Sequence, residues 1–352
     1  MMIHAVLHFC LLAKLCVSFD SARFLQSRKS PSCTTTLSSS VSSFEKTGIT
    51  RELQWDPVPT PIPLRKELDL LESGVLMQRG EFCMLHGDRL QEVEDECLKL
   101  GMTLPQGLLI RRQLMVSKVV RSSWMLKDRS KLGDIRRKFQ DEGWSLLELS
   151  EDIDQPPVSI LRAIIAERVF RAYPDMRIGD QKRIVRSIIS EKDPDKIGKF
   201  LTDRELSELQ TAKEFDVVGF QISTATPVLW EEALYTYLNE QKINYVSEET
   251  LRDAEISFTP DCLILDDCYI NGQLIRWMDV KSFYGSGLRE NKHFTNSLKK
   301  QIGRYETEFG ESGAVVFKHG FSSKLQSKFP STLFLDAGPL VDDMKFKGED
   351  NL

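Results

Sequence analysis

The spacing of apolar residues divides the chain into a helical first part and a strand-bearing second part. From Leu64 to Leu100 the pattern is helical, and it stays so through residue 215. Within it, residues 134–170 read as three helices: Asp134–Asp141 ending at Gly143, an amphipathic Ser145–Glu151, and Pro157–Phe170 with proline in its first turn. Leu146, Leu147, Leu149, Ile153 and Val158 would pack with Leu161 and Ile165, a helix-turn-helix pattern that leaves Ser159, Arg162 and Arg168 outside. Pro227 opens a further amphipathic helix, after which the period changes. INYV (243–246), Cys262–Leu265 and Gln273–Val280 read as strands, the last two joined across Asn271-Gly272, a favoured hairpin dipeptide. The spacing then predicts a helix over Ser297–Phe309, with Leu298, Ile302, Tyr305 and Phe309 on one face, and buried strands in AVVFKHG (314–320) and STLFL (331–335). The order after Thr226 is αβββαβ, so the expected class is α/β: an all-helical region followed by a mixed sheet flanked by helices.

The ends differ from this body. Residues 1–18 are apolar but broken by Lys14, and Ser18–Ser43 is rich in serine with Asp20 as its one acid. Residues 1–45 therefore read as a targeting segment, similar to the two-part plastid leaders of some algae, or as a disordered extension. Residues 46–63, ending in the Pro-rich DPVPTPIP, read as a linker. The expected organisation is a helical region over 64–215, a second domain over 220–340 and a tail over 341–352.

Net charge of −5 and a pI near 5.7 neither require nor exclude a nucleic-acid partner. Its distribution says more. Glu92, Glu94, Asp95 and Glu96 form an acidic cluster of the kind found on solvated helix faces, whereas residues 111–140 hold ten Lys or Arg against two acids. A basic helical stretch with Trp124 and Phe139 interspersed fits phosphate contact. The seven cysteines contain no Cys-x-x-Cys pair, which argues against a disulfide framework and a structural zinc site. No apolar run approaches the ~20 residues of a membrane span.

The candidate chemistry lies in Phe258–Phe283. Asp261 heads one apolar run, and Asp279 with Lys281 ends the next. Alternate residues of a strand project from one side about 7 Å apart, so Asp279 and Lys281 would share a face, and pairing of the two runs would bring Asp261 to them. Two carboxylates, with the carbonyl of Val280 as a third oxygen, suit a magnesium or manganese ion, and Lys281 could orient or deprotonate a water or stabilise developing negative charge. Acid-x-Lys is a common spelling: Asp180-Gln-Lys182 follows Pro174-Asp175, but in helical sequence too short to form a hairpin. Context gives the later set its weight. Lys292, Lys299, Lys300 and Arg304 form a basic patch just after it, suited to gripping phosphates. His293 and His319 are further candidates for proton transfer.

Residues 258–283 resemble the PD-(D/E)xK nuclease superfamily, and Thr259-Pro260-Asp261 with Trp277-Met278-Asp279-Val280-Lys281 is similar to the codanin-interacting nucleases. The likeness extends over roughly 130–335, including LELSEDIDQPPVSILRAII. It implies a restriction-endonuclease-like domain after a helix-turn-helix region, Asp261 and Asp279 as metal ligands and Lys281 as the catalytic lysine, with Asp279 standing where relatives have Glu. It further implies Glu231 and Gln301 as supporting catalytic positions, nucleic acid (DNA ahead of RNA) as substrate, a codanin-like protein partner, and action in nucleus and cytoplasm. The competing expectation is a catalytically silent nuclease-fold scaffold that binds DNA or such a partner.

Overall fold

The computed structural model describes residues 44–190, 200–218 and 225–340, of which 225–227 are described by backbone alone. Residues 1–43, 191–199, 219–224 and 341–352 lie outside the described residues. The strands are β1 (Thr50–Leu53), β2 (Tyr245–Ser247), β3 (Cys262–Ile270), β4 (Gln273–Lys281), β5 (Gly313–Phe317) and β6 (Thr332–Asp336). The helices are α1 (Leu64–Glu72), α2 (Gly87–Lys99), α3 (Leu104–Ser122), α4 (Arg129–Gln140), α5 (Leu146–Ile153), α6 (Pro157–Ala172), α7 (Ile178–Ser190), α8 (Asp203–Phe215), α9 (Ala225–Glu240), α10 (Glu248–Asp253), α11 (Lys292–Phe309) and α12 (Ser323–Gln326).

All six strands form one sheet in the order β1-β3-β4-β5-β6, with β2 also paired to β3. β3 and β4 are an antiparallel hairpin, while β4, β5 and β6 run parallel. The hairpin turns where expected: Asn271 and Gly272 have φ of 49° and 81°, the positive pair that a two-residue type I′ turn requires. Asn271 also accepts a hydrogen bond from the Trp55 backbone N–H at 2.9 Å, which ties the turn to the segment after β1.

Side-chain alternation sorts the sheet into two faces. Leu263, Trp277, Val315, Phe317 and Phe334 enter one core, and Cys262, Ile264, Met278, Ala314, Val316 and Leu335 the other. Trp230, Leu234, Tyr237 and Leu238 of α9 cover the second face. The first is covered by Leu298, Ile302 and Tyr305 of α11, together with Leu70, Val93, Cys97, Leu109, Ile110 and Leu114 of α1, α2 and α3.

The helical region thus divides between two cores. α1 to α3 share theirs with the sheet. α4 to α8 build a separate one from Leu146, Leu149, Ile160, Leu161, Ile164, Val185 and Leu209. The three helices expected over 134–170 are α4, α5 and α6. Ser145 and Glu148 form a capping box at the start of α5, Asp154 closes it in the left-handed conformation, and Pro157 occupies the first turn of α6. The stretch read as a linker contains β1, which pairs in parallel with β3, Thr50 opposite Asp267 and Leu53 opposite Ile270. Only Leu53 of its four residues is buried, so the pairing partner rather than local alternation makes this segment a strand.

Candidate functional site

Asp261 immediately precedes β3, and Asp279 and Lys281 close β4, so the hairpin brings all three together at one end of the sheet. Asp261 and Asp279 are 8% and 2% exposed. One carboxylate oxygen of Asp261 accepts the backbone N–H of Val280 at 2.6 Å, which locks the hairpin's first residue against its last turn of strand. The Lys281 ammonium forms an ion pair with Oδ2 of Asp279. The other Asp279 oxygen faces α11, 3.2 Å from the Tyr305 hydroxyl and 3.5 Å from the Gln301 amide nitrogen. Gln301 in turn donates to Tyr305 at 2.8 Å, and the Tyr305 hydroxyl lies 2.9 Å from the carbonyl of Thr259.

Burial governs the electrostatics. It pushes the Asp261 carboxyl well up from the ordinary aspartate value, and the neighbouring Asp279 charge adds to the rise. Burial also opposes the charge on Lys281, but Asp279, Asp261 and Glu248 outweigh it and hold the ammonium above its usual range. Tyr305 is held firmly as a neutral phenol by burial and by Asp279.

A third wall of carboxylates comes from elsewhere. Glu231 of α9 and Glu248 of α10 each place an oxygen within 4.8 Å of one on Asp261. Glu248 is positioned by its backbone N–H, which donates to the Asp261 carbonyl at 2.9 Å, and by Thr259, whose hydroxyl donates to its carboxylate at 3.1 Å. It also pairs with Arg252 at 2.5 Å. Oxygen donors from three side chains around one point suit a hard divalent cation such as magnesium or manganese. Glu231, Glu248 and Asp261 are the described residues best placed to hold one. Asp279 stands beside them but turns its oxygens to Lys281, Tyr305 and Gln301.

Of the positions expected to support the site, Glu231 lies in the carboxylate wall and Gln301 against Asp279, while Val280 meets Asp261 through its backbone N–H. Two contributors were not expected. Tyr305 read as one more member of an apolar helix face; its polar end emerges only when Thr259 and Asp279 are seen opposite it. Glu248 sits in Ser247-Glu-Glu-Thr, a sequence typical of a helix start, and Ser247 does cap α10. His319 is pushed down to about 4 by burial and by Lys318, so it is neutral near pH 7.

The basic residues separate into two groups. Lys292, Lys299, Lys300 and Arg304 are exposed on α11, the helix that brings Gln301 and Tyr305 to the site. Arg162 and Arg168 are both exposed on α6, and Arg168 is held against Glu205: its two terminal nitrogens reach both oxygens of that carboxylate, and one donates to the Phe200 carbonyl at 3.2 Å. Five of the ten basic residues in the 111–140 stretch are similarly engaged. Arg111 is buried against Glu81, Lys118 pairs with Asp154, Arg136 with Glu167, Arg137 with Glu142 and Lys138 with Asp152. The acids that answer these five lie outside the basic window, so a local count of charge does not see them.

Fold and site together define a mixed α/β protein with a buried carboxylate-and-lysine centre at the end of its central hairpin. Parts of the chain are similar to one sequence-motif family and to proteins named as nucleases. Residues 199–337 match the family described as "Protein of unknown function TPD sequence-motif", whose triplet is Thr259-Pro260-Asp261 here. The chain is 23% identical to CDAN1-interacting nuclease 1 of Bos taurus and 22% identical to that of Homo sapiens, each over 54% of this chain and 65% of the relative. The protein of that name from Danio rerio is 26% identical over 31% of this chain and 34% of its own length. The chain thus spans slightly less than two thirds of the mammalian relatives. No solved structure matches it.

Proposed function

We propose that this protein is a metal-dependent nuclease of the PD-(D/E)xK type, with a restriction-endonuclease-like sheet and DNA ahead of RNA as substrate. The observation that carries the reading is the meeting of Asp261, Asp279 and Lys281 in one buried site beside Glu231 and Glu248. A bound magnesium or manganese ion would supply an activated water and neutralise charge on the phosphate. Asp261, with Glu231 and Glu248, holds the cation. Asp279 keeps Lys281 in place and is itself fixed by Tyr305 and Gln301. The Lys281 ammonium sits where it can stabilise negative charge developing on the scissile phosphate, and the basic face of α11 grips the flanking phosphates. The names of the relatives support this reading, and they alone support a codanin-like protein partner.

The deciding experiment is a cleavage panel of single-stranded, duplex and branched DNA and RNA with magnesium or manganese. Cleavage should require the ion, stop with chelator, and vanish in Asp279→Asn while the circular dichroism spectrum is kept. If the purified protein cuts none of these substrates with either ion, the enzyme reading fails and the scaffold reading replaces it. Co-purification from the source cell tests the protein partner, and a reporter fused to residues 1–45 tests whether the leader directs the chain to a plastid, or whether it acts in nucleus and cytoplasm.

A further inference from the structure

At the rim of the carboxylate-and-lysine centre stands an aromatic residue that the proposed chemistry does not use. Phe258, three residues before Asp261, remains 43% exposed. Three residues of extended chain span at most about 10 Å, so the Cα of Phe258 lies no farther than that from the Cα of Asp261. The Arg304 guanidinium lies over the Phe258 ring, 4.0 Å from its centre. Arg304 belongs to α11, where the adjacent residue Tyr305 reaches both the Thr259 carbonyl and Asp279. The Phe258–Arg304 pair is therefore fastened to the site on both sides: through the chain to Asp261, and through α11 to Asp279.

An aromatic ring partly in water, next to a cation and beside a phosphate-handling centre, has the two properties of a single-strand binding platform. The ring offers a face on which any base can stack, and the arginine offers a planar cation for stacking or for a phosphate. A base inside a duplex has its faces covered by its neighbours and cannot use such a platform without being unstacked. Exposed Lys299 and Lys300 continue along the same helix, so a strand seated on Phe258 would run past positive charge.

We propose that Phe258 and Arg304 form a stacking platform for an unpaired base next to the scissile phosphate, which makes single-stranded nucleic acid, or the single-stranded part of a branched one, the preferred substrate. This rests on the nuclease reading of the site and narrows its substrate class. The platform reads a base and not a sugar, so short DNA and RNA strands should both occupy it.

The test is binding of 2-aminopurine-labelled 12-residue single strands, one DNA and one RNA, and a blunt DNA duplex, to the full chain in chelator, where no metal-dependent cleavage occurs. Wild type should quench the label at one position in the strand. Phe258→Ala should lose that quench and weaken single-strand binding about tenfold or more, with duplex affinity changed less than about twofold. Phe258→Trp should restore quench and affinity, and Phe258→Leu should not. A response confined to DNA or to RNA would overturn a platform that reads the base alone. Unchanged single-strand affinity and quench in Phe258→Ala, in a protein that cleaves, would overturn the platform and leave the nuclease standing. Position-specific quench in a protein that cleaves nothing would keep the platform and remove the nuclease.

Discussion

Replacing Lys281 by Met should destabilise the metal-free protein more than replacing its partner Asp279 by Asn. Lys281 is 15% exposed in its side chain and Asp279 4%. Asp261 and Glu248 also act on the ammonium, so one cation answers several carboxylates. Removing the lysine leaves them facing one another at low dielectric. Breaking a buried pair in this way costs about 3–5 kcal/mol, and the partial exposure of Lys281 places the expectation at about 3. Asp279→Asn leaves Asp261 and Glu248 beside the ammonium and keeps an oxygen toward Tyr305, so its cost should be smaller, about 1–2 kcal/mol. The assay is urea unfolding in chelator, followed by tryptophan fluorescence, for which fully buried Trp277 on the same strand is a reporter. A 3 kcal/mol loss moves the midpoint by about 1 M or more. Because the folded protein holds the ammonium above its ordinary value, the lysine's contribution is complete at neutral pH and fades only as pH rises through the raised value, so the gap between wild type and Lys281→Met should close at strongly alkaline pH. Saturating magnesium or manganese should rescue Lys281→Met by about 2–3 kcal/mol if the ion is held at about a hundred times its dissociation constant. Equal midpoints for wild type and Lys281→Met, or equal losses for the two variants, would refute the charge argument.

Tyr305→Phe removes the hydroxyl that ties Gln301, Thr259 and Asp279 together, which should cost about 1–3 kcal/mol in thermal or urea unfolding. In a cleavage assay it should lower kcat more than it raises KM, because it disturbs Asp279 rather than the phosphate-facing lysines. Glu67 is fully buried, accepting from the Ser286 hydroxyl at 2.7 Å and the Gly287 N–H at 3.0 Å, and burial raises its carboxyl above the usual glutamate range. Between the ordinary and the raised value the folded state keeps a proton that the unfolded chain has released, so stability should fall as pH climbs through that window. Glu67→Gln should lack this fall, which unfolding curves between pH 4 and 8 would show as a reduced slope.

The hairpin was readable because its signals are local: Asn271-Gly272 dictates the turn, and alternation from Cys262 to Lys281 puts Asp279 and Lys281 on one face. The site's third wall was half readable. Glu231 followed from the family resemblance, whereas Glu248 is indistinguishable in sequence from a residue that merely begins a helix. β1 was hidden because its strand character comes from β3, far along the chain, and Pro57, Pro59, Pro61 and Pro63 just after it argue for an extended linker. Arg168 read as an open phosphate contact because its partner Glu205 lies on another helix. In each case the missing information was a tertiary neighbour, not a propensity.

The division of the helical region has a consequence for how the molecule is made. The sheet's first face is closed by α1 to α3, which are synthesised before the self-cored α4 to α8, and β1 finds β3 only after all of them. The α4–α8 unit can therefore condense as soon as it leaves the ribosome, whereas residues 50–122 must wait uncommitted until β3 to β6 exist. Residues 199–337, the stretch shared with the motif family, leave out α1 to α3, which cover part of the sheet's first face. Expressed alone, that stretch would present Trp277, Phe317 and Phe334 on a face stripped of part of its cover, and a chaperone would meet the nascent chain with its earliest helices still unpartnered.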